Sequence, residues 1–412
     1  MKSAIEFCKN EWNSYTRKTK IALCVLLGLV ALFAIFAIQI LFWGLGYTDM
    51  NNVFAMGIWI IGDLGLVALG GGAFFSGFLL YIFRKDDLEP LINSTVLIGF
   101  MCYLFTFILL VFDIGQPLRA WFGYTYPNWG LHLMPKSMLT EVVWCLTLYF
   151  CVLCVELIPI PLKHKVVDKI PFFHYLGHYL HRLMWIMAAV GTFLSFFHQG
   201  SLGGGMWGVL YGKPGWFHPH FFFLAIVLAT AGGTSFMTLW PYVASKIMKK
   251  EIVPMSSFQA LAKVSGFMFI FYLSYRIFVV YTLSTVYVPM ADRSFIDLLG
   301  GYYGLWMLSL ELIFSAIPIV LLLVPKFREQ EKFMVAGLIS GVLAVLFHKL
   351  FVVLNGFSIP NFAWRPFMGY NPTIQEWFVM AGALACMALI YMCFAKYMPL
   401  VPHLHKHEHH EA

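Results

Sequence analysis

The sequence predicts an all-α membrane protein of about ten transmembrane helices, built as two parallel-repeated four-helix bundles (spans 2–5 and 6–9) flanked by spans 1 and 10. Three observations predict it. The chain has 412 residues, 60% of them apolar and only 11% charged, against about 25% charged in an ordinary soluble domain. Runs of roughly 20 apolar residues recur along it, the length that a hydrocarbon core about 30 Å thick requires. Backbone groups find no water at that depth, so each run is expected to close its own hydrogen bonds as a helix. Finally, four landmarks occur twice in the same order. They are Gly71–Gly72 and Gly232–Gly233, the GFM triplets at Gly99 and Gly266, the acids of MLTE and MLSLE (Glu141 and Glu311), and glycines seven residues before His198 and His348. The copies lie 150 to 170 residues apart, so loop lengths differ while the order is kept.

The spans are expected at Ile21–Trp43, Ala55–Phe83, Leu91–Asp113, Met138–Ile160, Leu183–His198, Pro219–Ile247, Val264–Val288, Tyr303–Val324, Phe333–Gly356 and Glu376–Met398. Span 1 is too long for a cleavable signal, follows about twenty polar residues and is not followed by a small-residue cleavage site. Four units result: 1–54 (N-terminus and span 1), 55–215 (first bundle), 216–356 (second bundle) and 357–412 (span 10 and a histidine-rich tail). Both bundles start from the same side, so the repeat is parallel and not inverted. The paired glycines read as packing devices that let neighbouring backbones approach. Spans 2 to 9 have no proline that would break them near their centres.

Lysine and arginine set the orientation. The N-terminus, the loops after spans 2, 4, 6 and 8, and the C-terminus carry 20 of the 27; the opposite loops carry five. Both termini are therefore expected in the cytoplasm. The net charge of +7 follows from topology and gives no support to a nucleic-acid partner. Seven of the eight cysteines fall in apolar spans and Cys8 in the N-terminus; Cys151 and Cys154 read as two small apolar residues on one helix face rather than a redox or metal pair. The non-cytoplasmic loops Asp113–Ser137, Gln199–His218 and Ser358–Gln375 are long and aromatic, with Trp121, Tyr124, Tyr126, Trp129, Trp207, Tyr211, Trp216, Trp364 and Tyr370. Beyond an interfacial belt, they are expected to form a platform for a partner. The tail from His403 reads as solvated.

Ionisable groups at lipid depth are the informative residues. Asp63, Asp113, Glu141, His198, Arg276, Glu311 and His348 all fall in the outer half of the bilayer, and only Glu156 falls in the inner half. Each costs about 2.5–3.5 kcal/mol at a helix centre, so the set implies pairing or a polar cavity. Arg276 and Glu311 are the obvious salt-bridge candidates. His348 and Lys349 read as structural, because the second copy places Leu224 where the first has Asp63. The chemistry is therefore expected in the first copy.

A carboxylate-and-histidine pocket open to lipid suits a quinone, whose apolar tail needs a lateral entrance and whose carbonyls take up protons on reduction. His198 is expected to donate to a carbonyl, with Asp63 and Glu141 relaying protons. The residues alone leave a single haem between His198 and His348 open, although a second haem would find no ligands; electrons are then expected from an extramembrane partner. A secondary transporter or ion channel, and a b-type cytochrome anchor, are the other classes that duplicated bundles with buried charges allow.

Several motifs carry a family resemblance. DIGQPLR (Asp113–Arg119) resembles the D-x-G-x-P-x-R turn of NrfD/polysulfide-reductase-type membrane subunits, and FHQGSLGG (Phe197–Gly204) is similar to the HQ-x-S-x-G segment of the HybB-type hydrogenase members. MNNVFAMGIWIIGDLG (Met50–Gly65) and LTEVVWCLTLYF (Leu139–Phe150) are similar to the second and fourth helices of that type. The likeness covers at least residues 44–215, and the rest through helix order; length and layout resemble the membrane subunits of menaquinone reductase complexes. The resemblance implies a bacterial inner-membrane subunit with no haem or metal of its own and menaquinone as bound substrate. It also implies a periplasmic ferredoxin-like iron–sulfur partner, with multihaem cytochrome c or molybdopterin/hydrogenase-type subunits beyond. By motif position the catalytic residues fall on Asp63, Glu141 and His198, and quinone contacts on His198, Asp113, Arg119, Ser201 and Tyr124. Asp113 and Arg119 equally suit shaping of the turn, and Gln116 stands where many members have arginine. For an inner-half proton route the chain offers Glu156, Tyr149 and Thr147.

Overall fold

Helices begin and end where backbone chemistry allows. A computed structural model describes residues 6, 11–13, 15–115, 117–125, 138–164, 166–210, 213–362 and 364–400. The long helices are α1 (Arg17–Trp43), α2 (Ile58–Tyr81), α3 (Ile92–Asp113) and α4 (Met138–Leu157), then α5 (Pro171–Arg182) and α6 (Met184–Gly200). They continue with α7 (Phe221–Met248), α8 (Met255–Thr282), α9 (Gly304–Leu323), α10 (Glu331–Leu350) and α11 (Ile374–Tyr397). Among the described residues, nine spans are long and apolar enough to cross a membrane, and α5 with α6, bent by 55°, can make a tenth. Thr16 caps α1 by accepting from the Thr19 amide, Thr373 and Glu376 form a capping box on α11, and left-handed Lys249 closes α7. Pro241 and Pro318 sit in the last third of α7 and α9, away from their centres.

The helices sort by burial. Only 6% of the apolar window of α1 is buried, against 78% for α2 and 72% for α7, so α2 and α7 form the centre and α1 faces lipid. α2 packs on α3, α6 and α7, while α7 packs on α8, α10 and α2; α1 lies along α11. The repeated landmarks meet at the centre. A Cβ on Gly72 would lie 2.2 Å from the carbonyl carbon of Gly233, and one on Gly233 2.5 Å from the Gly72 nitrogen, so both positions need glycine. A Cβ on Gly191 would strike the Phe74 ring at 2.0 Å, and one on Gly341 would strike Ser235 Oγ at 2.3 Å. Phe74 and Ser235 are 161 residues apart, the separation of Gly72 and Gly233. After each histidine the helix widens into a π-helical turn, Ser201–Gly205 and Phe351–Asn355, a distortion found often at functional positions.

Gly72→Val is expected to block the α2–α7 contact, because the obstacle is backbone and cannot rotate away. Overpacking of this kind costs about 1–3 kcal/mol or more. Detergent-solubilised protein should show a lowered aggregation temperature, and unchanged heat resistance would contradict the close approach.

Two loop expectations are revised. Gln199–His218 is not an open aromatic loop: residues 199–208 continue the helix, and Trp207 and Trp216 are buried, 4.7 Å apart by ring centroids, with Trp216 Nε1 donating to the Val352 carbonyl at 2.6 Å. Their large apolar area is spent in the core. Lys213 joins them by donating to the carbonyls of Gly356 and Ile359; burial, and then the charge of Arg293, lower its pKa to about 8. Trp121 and Trp364 do lie exposed. The sequence reading also missed α5, an amphipathic helix that exposes Phe172, Tyr175 and Tyr179 along one face. Cys8, Gln116, Tyr126, Trp129, Tyr211 and the tail from His403 lie outside the described residues.

Candidate functional site

The two copies treat their buried charge in opposite ways. In the second, Glu311 is wholly buried and fully engaged. Arg276 donates to it through Nε at 2.6 Å and through Nη2 at 2.9 Å, Tyr272 Oη donates at 2.5 Å, and His348 Nδ1 lies 3.0 Å away. This is the expected Arg276–Glu311 bridge with two further partners. A bidentate pair with its remaining lone pairs occupied is how a buried ion pair is sustained.

The first copy lacks the cation. Carried back by the 167-residue separation of Gly99 and Gly266, Arg276 and Tyr272 fall on Leu109 and Phe105. Glu141, in the first turn of α4, keeps only Oε1 engaged: Ser201 Oγ donates to it at 3.2 Å and Cys145 Sγ at 3.0 Å. Its Oε2 is out of solvent with no hydrogen-bond partner among the described residues. His198, one turn before Ser201, is completely buried and both its ring nitrogens lack partners among the same residues. Tyr103 and Tyr149 flank it with ring centroids at 6.0 and 6.4 Å. Tyr149 Oη lies near Ser195 and Tyr103 without a well-formed bond. Gln199 Nε2 ties this end of α6 to α2 by donating to the Val67 carbonyl at 2.7 Å.

One turn from Val67 along α2, Asp63 faces Asp113 at the end of α3. All four carboxyl oxygens of this pair are buried and have no donor among the described residues. An acid in the last turn also opposes the helix dipole, so stability of α3 does not account for Asp113. Glu376 is the next carboxyl group to Asp113, but it is satisfied. The amides of Asp49 and Thr373 donate to it at 3.2 and 2.8 Å, and Tyr370 Oη donates as well. Burial and then that bond push the Tyr370 phenol pKa up. Buried polar groups nearly always have a partner; a protein-lined cluster without donors is a place for water or for a polar ligand.

The structure thus brings Glu141 to Ser201, within a turn of His198, and brings Asp63 to Asp113; no hydrogen bond between described residues joins the two groups. Two predicted contacts stand apart. Arg119 is exposed, and Tyr124 lies exposed against Thr147 of α4, bonded at 2.8 Å, on a different face from Glu141 and Tyr149. The short Pro117–Tyr124 segment carries both along the outside of the bundle. Sequence reasoning missed the Asp63–Asp113 pair, for which the two-helix rotation gives no linear signal. It also missed Tyr103, whose neighbours are apolar, the tie that Gln199 makes to α2, and Glu376, which a Thr-x-x-Glu capping box would have flagged.

The sequence of this bundle of lipid-spanning helices matches a known class of membrane protein. The profile of the family described as polysulphide reductase, NrfD, matches residues 46–361, and the chain belongs to that family. It is 36% identical over 375 residues to the menaquinone reductase integral membrane subunit of Nitratidesulfovibrio vulgaris, covering 89% of this chain and 88% of the relative. It is 24% identical to the probable Ni/Fe-hydrogenase 2 b-type cytochrome subunit of Escherichia coli, covering 93% of this chain and 94% of that relative.

Proposed function

We propose that this chain is the quinone-binding membrane subunit of a multisubunit respiratory oxidoreductase that reduces menaquinone. Electrons come from a periplasmic ferredoxin-like iron–sulfur partner seated over the outer aromatic loops, with multihaem cytochrome c or molybdopterin/hydrogenase-type subunits behind it. The observation that carries the reading is the contrast between the copies: among the described residues, five polar side chains of the first (Asp63, Asp113, Glu141, Tyr149 and His198) have buried atoms without partners, whereas in the second the matching acid, Glu311, is saturated and only Arg276 Nη1 and Asn355 Oδ1 are left over. The name of the Nitratidesulfovibrio relative supports the quinone. In this reading the bundles are two four-helix units, both termini are cytoplasmic, and only the first unit keeps the chemistry.

Reduction of a quinone to its quinol consumes two electrons and two protons, one proton to each carbonyl oxygen. The partner supplies the electrons. His198 holds one carbonyl by a ring N–H and fixes the ring beside Tyr103 and Tyr149. Glu141 delivers a proton from Oε2, oriented through Ser201, and the Asp63–Asp113 pair holds a proton between two carboxyl groups for delivery and is refilled from outside the site. Burial of these groups makes such transfers directional, because stray protons are excluded.

Isolation from its native membrane tests the assembly: the chain should co-purify with cofactor-bearing subunits, and a lone active carrier would favour transport. Asp63→Asn should slow quinone-linked turnover at least tenfold, since an amide cannot share the proton; a rate equal to wild type would remove the pair from the relay. The b-type cytochrome in the name of the Escherichia coli relative supports a second reading, a haem held by His198 and His348. A reduced-minus-oxidised spectrum of the purified subunit decides it, and the quinone reading predicts no haem bands.

A further inference from the structure

We propose that the cleft where the basic-loop ends of α1, α7 and α11 meet binds the headgroup of an anionic phospholipid. The cavity there has a volume of about 300 Å³ and is lined by Tyr15, Leu23, Met248, Lys250, Met392 and Lys396, among others. At roughly 30 Å³ per water molecule, it has room for about ten waters, enough for a phosphoglycerol group but not for acyl chains. Those chains have a place immediately beside it. α1 packs along α11 and is otherwise largely uncovered, and its Ile21 and Val25 are more than half exposed.

The lining is arranged for that chemistry. Leu23, Met248 and Met392 form an apolar wall suited to glycerol and the first methylenes, which an inorganic anion would not need. Lys250 and Lys396 supply the cations. The site already holds one oxyanion: Lys396 Nζ donates to the Glu11 carboxylate and, at 2.8 Å, to Tyr15 Oη. A phosphate of the inner leaflet would take the place of Glu11. Lys250 Nζ is held across the helices by the Ala395 carbonyl at 2.9 Å, which fixes its position at the rim. Arg17, Lys18, Lys20 and Lys249 add positive charge at the same end, against Glu11 and Glu251. Basic pockets between transmembrane helices recognise lipid phosphates in this way.

The test is native mass spectrometry of the purified, delipidated complex in detergent, titrated with dioleoylphosphatidylglycerol and with dioleoylphosphatidylcholine. The proposal expects one phosphatidylglycerol retained at concentrations where phosphatidylcholine is not. Lys250→Gln with Lys396→Gln should weaken it about tenfold or more, as loss of two lysines near a lipid phosphate implies, while Lys326→Gln with Lys332→Gln should not. Glu11→Gln, which removes the competing carboxylate and no cation, should tighten binding and keeps the proposal testable if the double variant fails to fold. Equal retention of the two lipids, unchanged binding in the Lys250/Lys396 variant, no gain from Glu11→Gln, or displacement of phosphatidylglycerol by equimolar glycerol 3-phosphate would each overturn it.

Discussion

Glu141→Gln is expected to lower quinone-linked turnover at least a hundredfold while the dye-linked activity of the partner subunits stays intact. The size follows from losing a positioned acid, typically a factor of about 10²–10⁴. The substitution is chosen because it preserves the local contacts: an amide oxygen still accepts from Ser201 and Cys145, so the helix pair has no reason to separate. His198→Ala should have a similar effect on turnover through a different loss, the ring N–H proposed to fix the carbonyl. That ring is completely buried, and its removal leaves a cavity, so Glu141→Gln is the cleaner variant and His198→Gln a useful companion. Rates above half of wild type in Glu141→Gln, or a subunit that no longer assembles, would mean that the acid serves packing.

Arg276→Leu should do the reverse, damaging the fold first. It strands Glu311, which has no exposure, with only Tyr272 and His348 as partners. Removing one member of a buried pair costs about 3–5 kcal/mol, a large share of the stability of any domain. Size-exclusion chromatography after heating should show loss of the monodisperse peak at a clearly lower temperature than wild type. Replacing both, Arg276→Leu with Glu311→Leu, should recover most of the resistance, because no charge is then left uncompensated. A single variant as heat-resistant as wild type, or a double variant as weak as the single, would contradict a structural role for the second cluster.

The difference between these expectations comes from one feature of the duplication. The second copy has Arg276 and Tyr272 where the first has Leu109 and Phe105. An acid such as Glu141 with no cation beside it is costly, since an unpaired polar group at lipid depth is expensive. Glu141 is nevertheless present, together with Asp63 where the second copy has the fully buried Leu224. Costly groups with buried oxygens that have no partner among the described residues are the physical basis for proposing the chemistry in the first copy.

Much of this was legible in the chain. The spans follow from apolar run lengths, because lipid leaves the backbone no alternative to a helix. The glycine landmarks marked the α2–α7 contact, and the Arg276–Glu311 bridge followed from two opposite charges on neighbouring helices. What was not legible depends on rotation about helix axes. Asp63 meets Asp113 only because of how α2 turns toward α3, and both acids read alone as isolated charges. Arg119 and Tyr124 belong to the right motif and the right loop, yet they lie outside the bundle because Pro117–Tyr124 runs along its surface. Trp207 and Trp216 read as interfacial because glycines surround them. Those glycines instead let the π-helical turn press on α7, where a Cβ on Gly204 would come 2.0 Å from the Phe222 nitrogen, and carry both rings inward. α5 was hidden by its three histidines and Arg182, which mask the aromatic face beneath.

The most direct measurement is a cryo-electron microscopy map of the assembled complex with a menaquinone analogue bound. The ring is expected among α2, α4 and α6, with a carbonyl oxygen within about 3 Å of a His198 ring nitrogen, Glu141 Oε2 facing the ring, and the isoprenoid tail leaving toward lipid. Density for the ring at the Glu311 cluster, or an empty first bundle whose carboxyl groups and His198 are each met by ordered protein donors, would contradict a quinone site in the first copy.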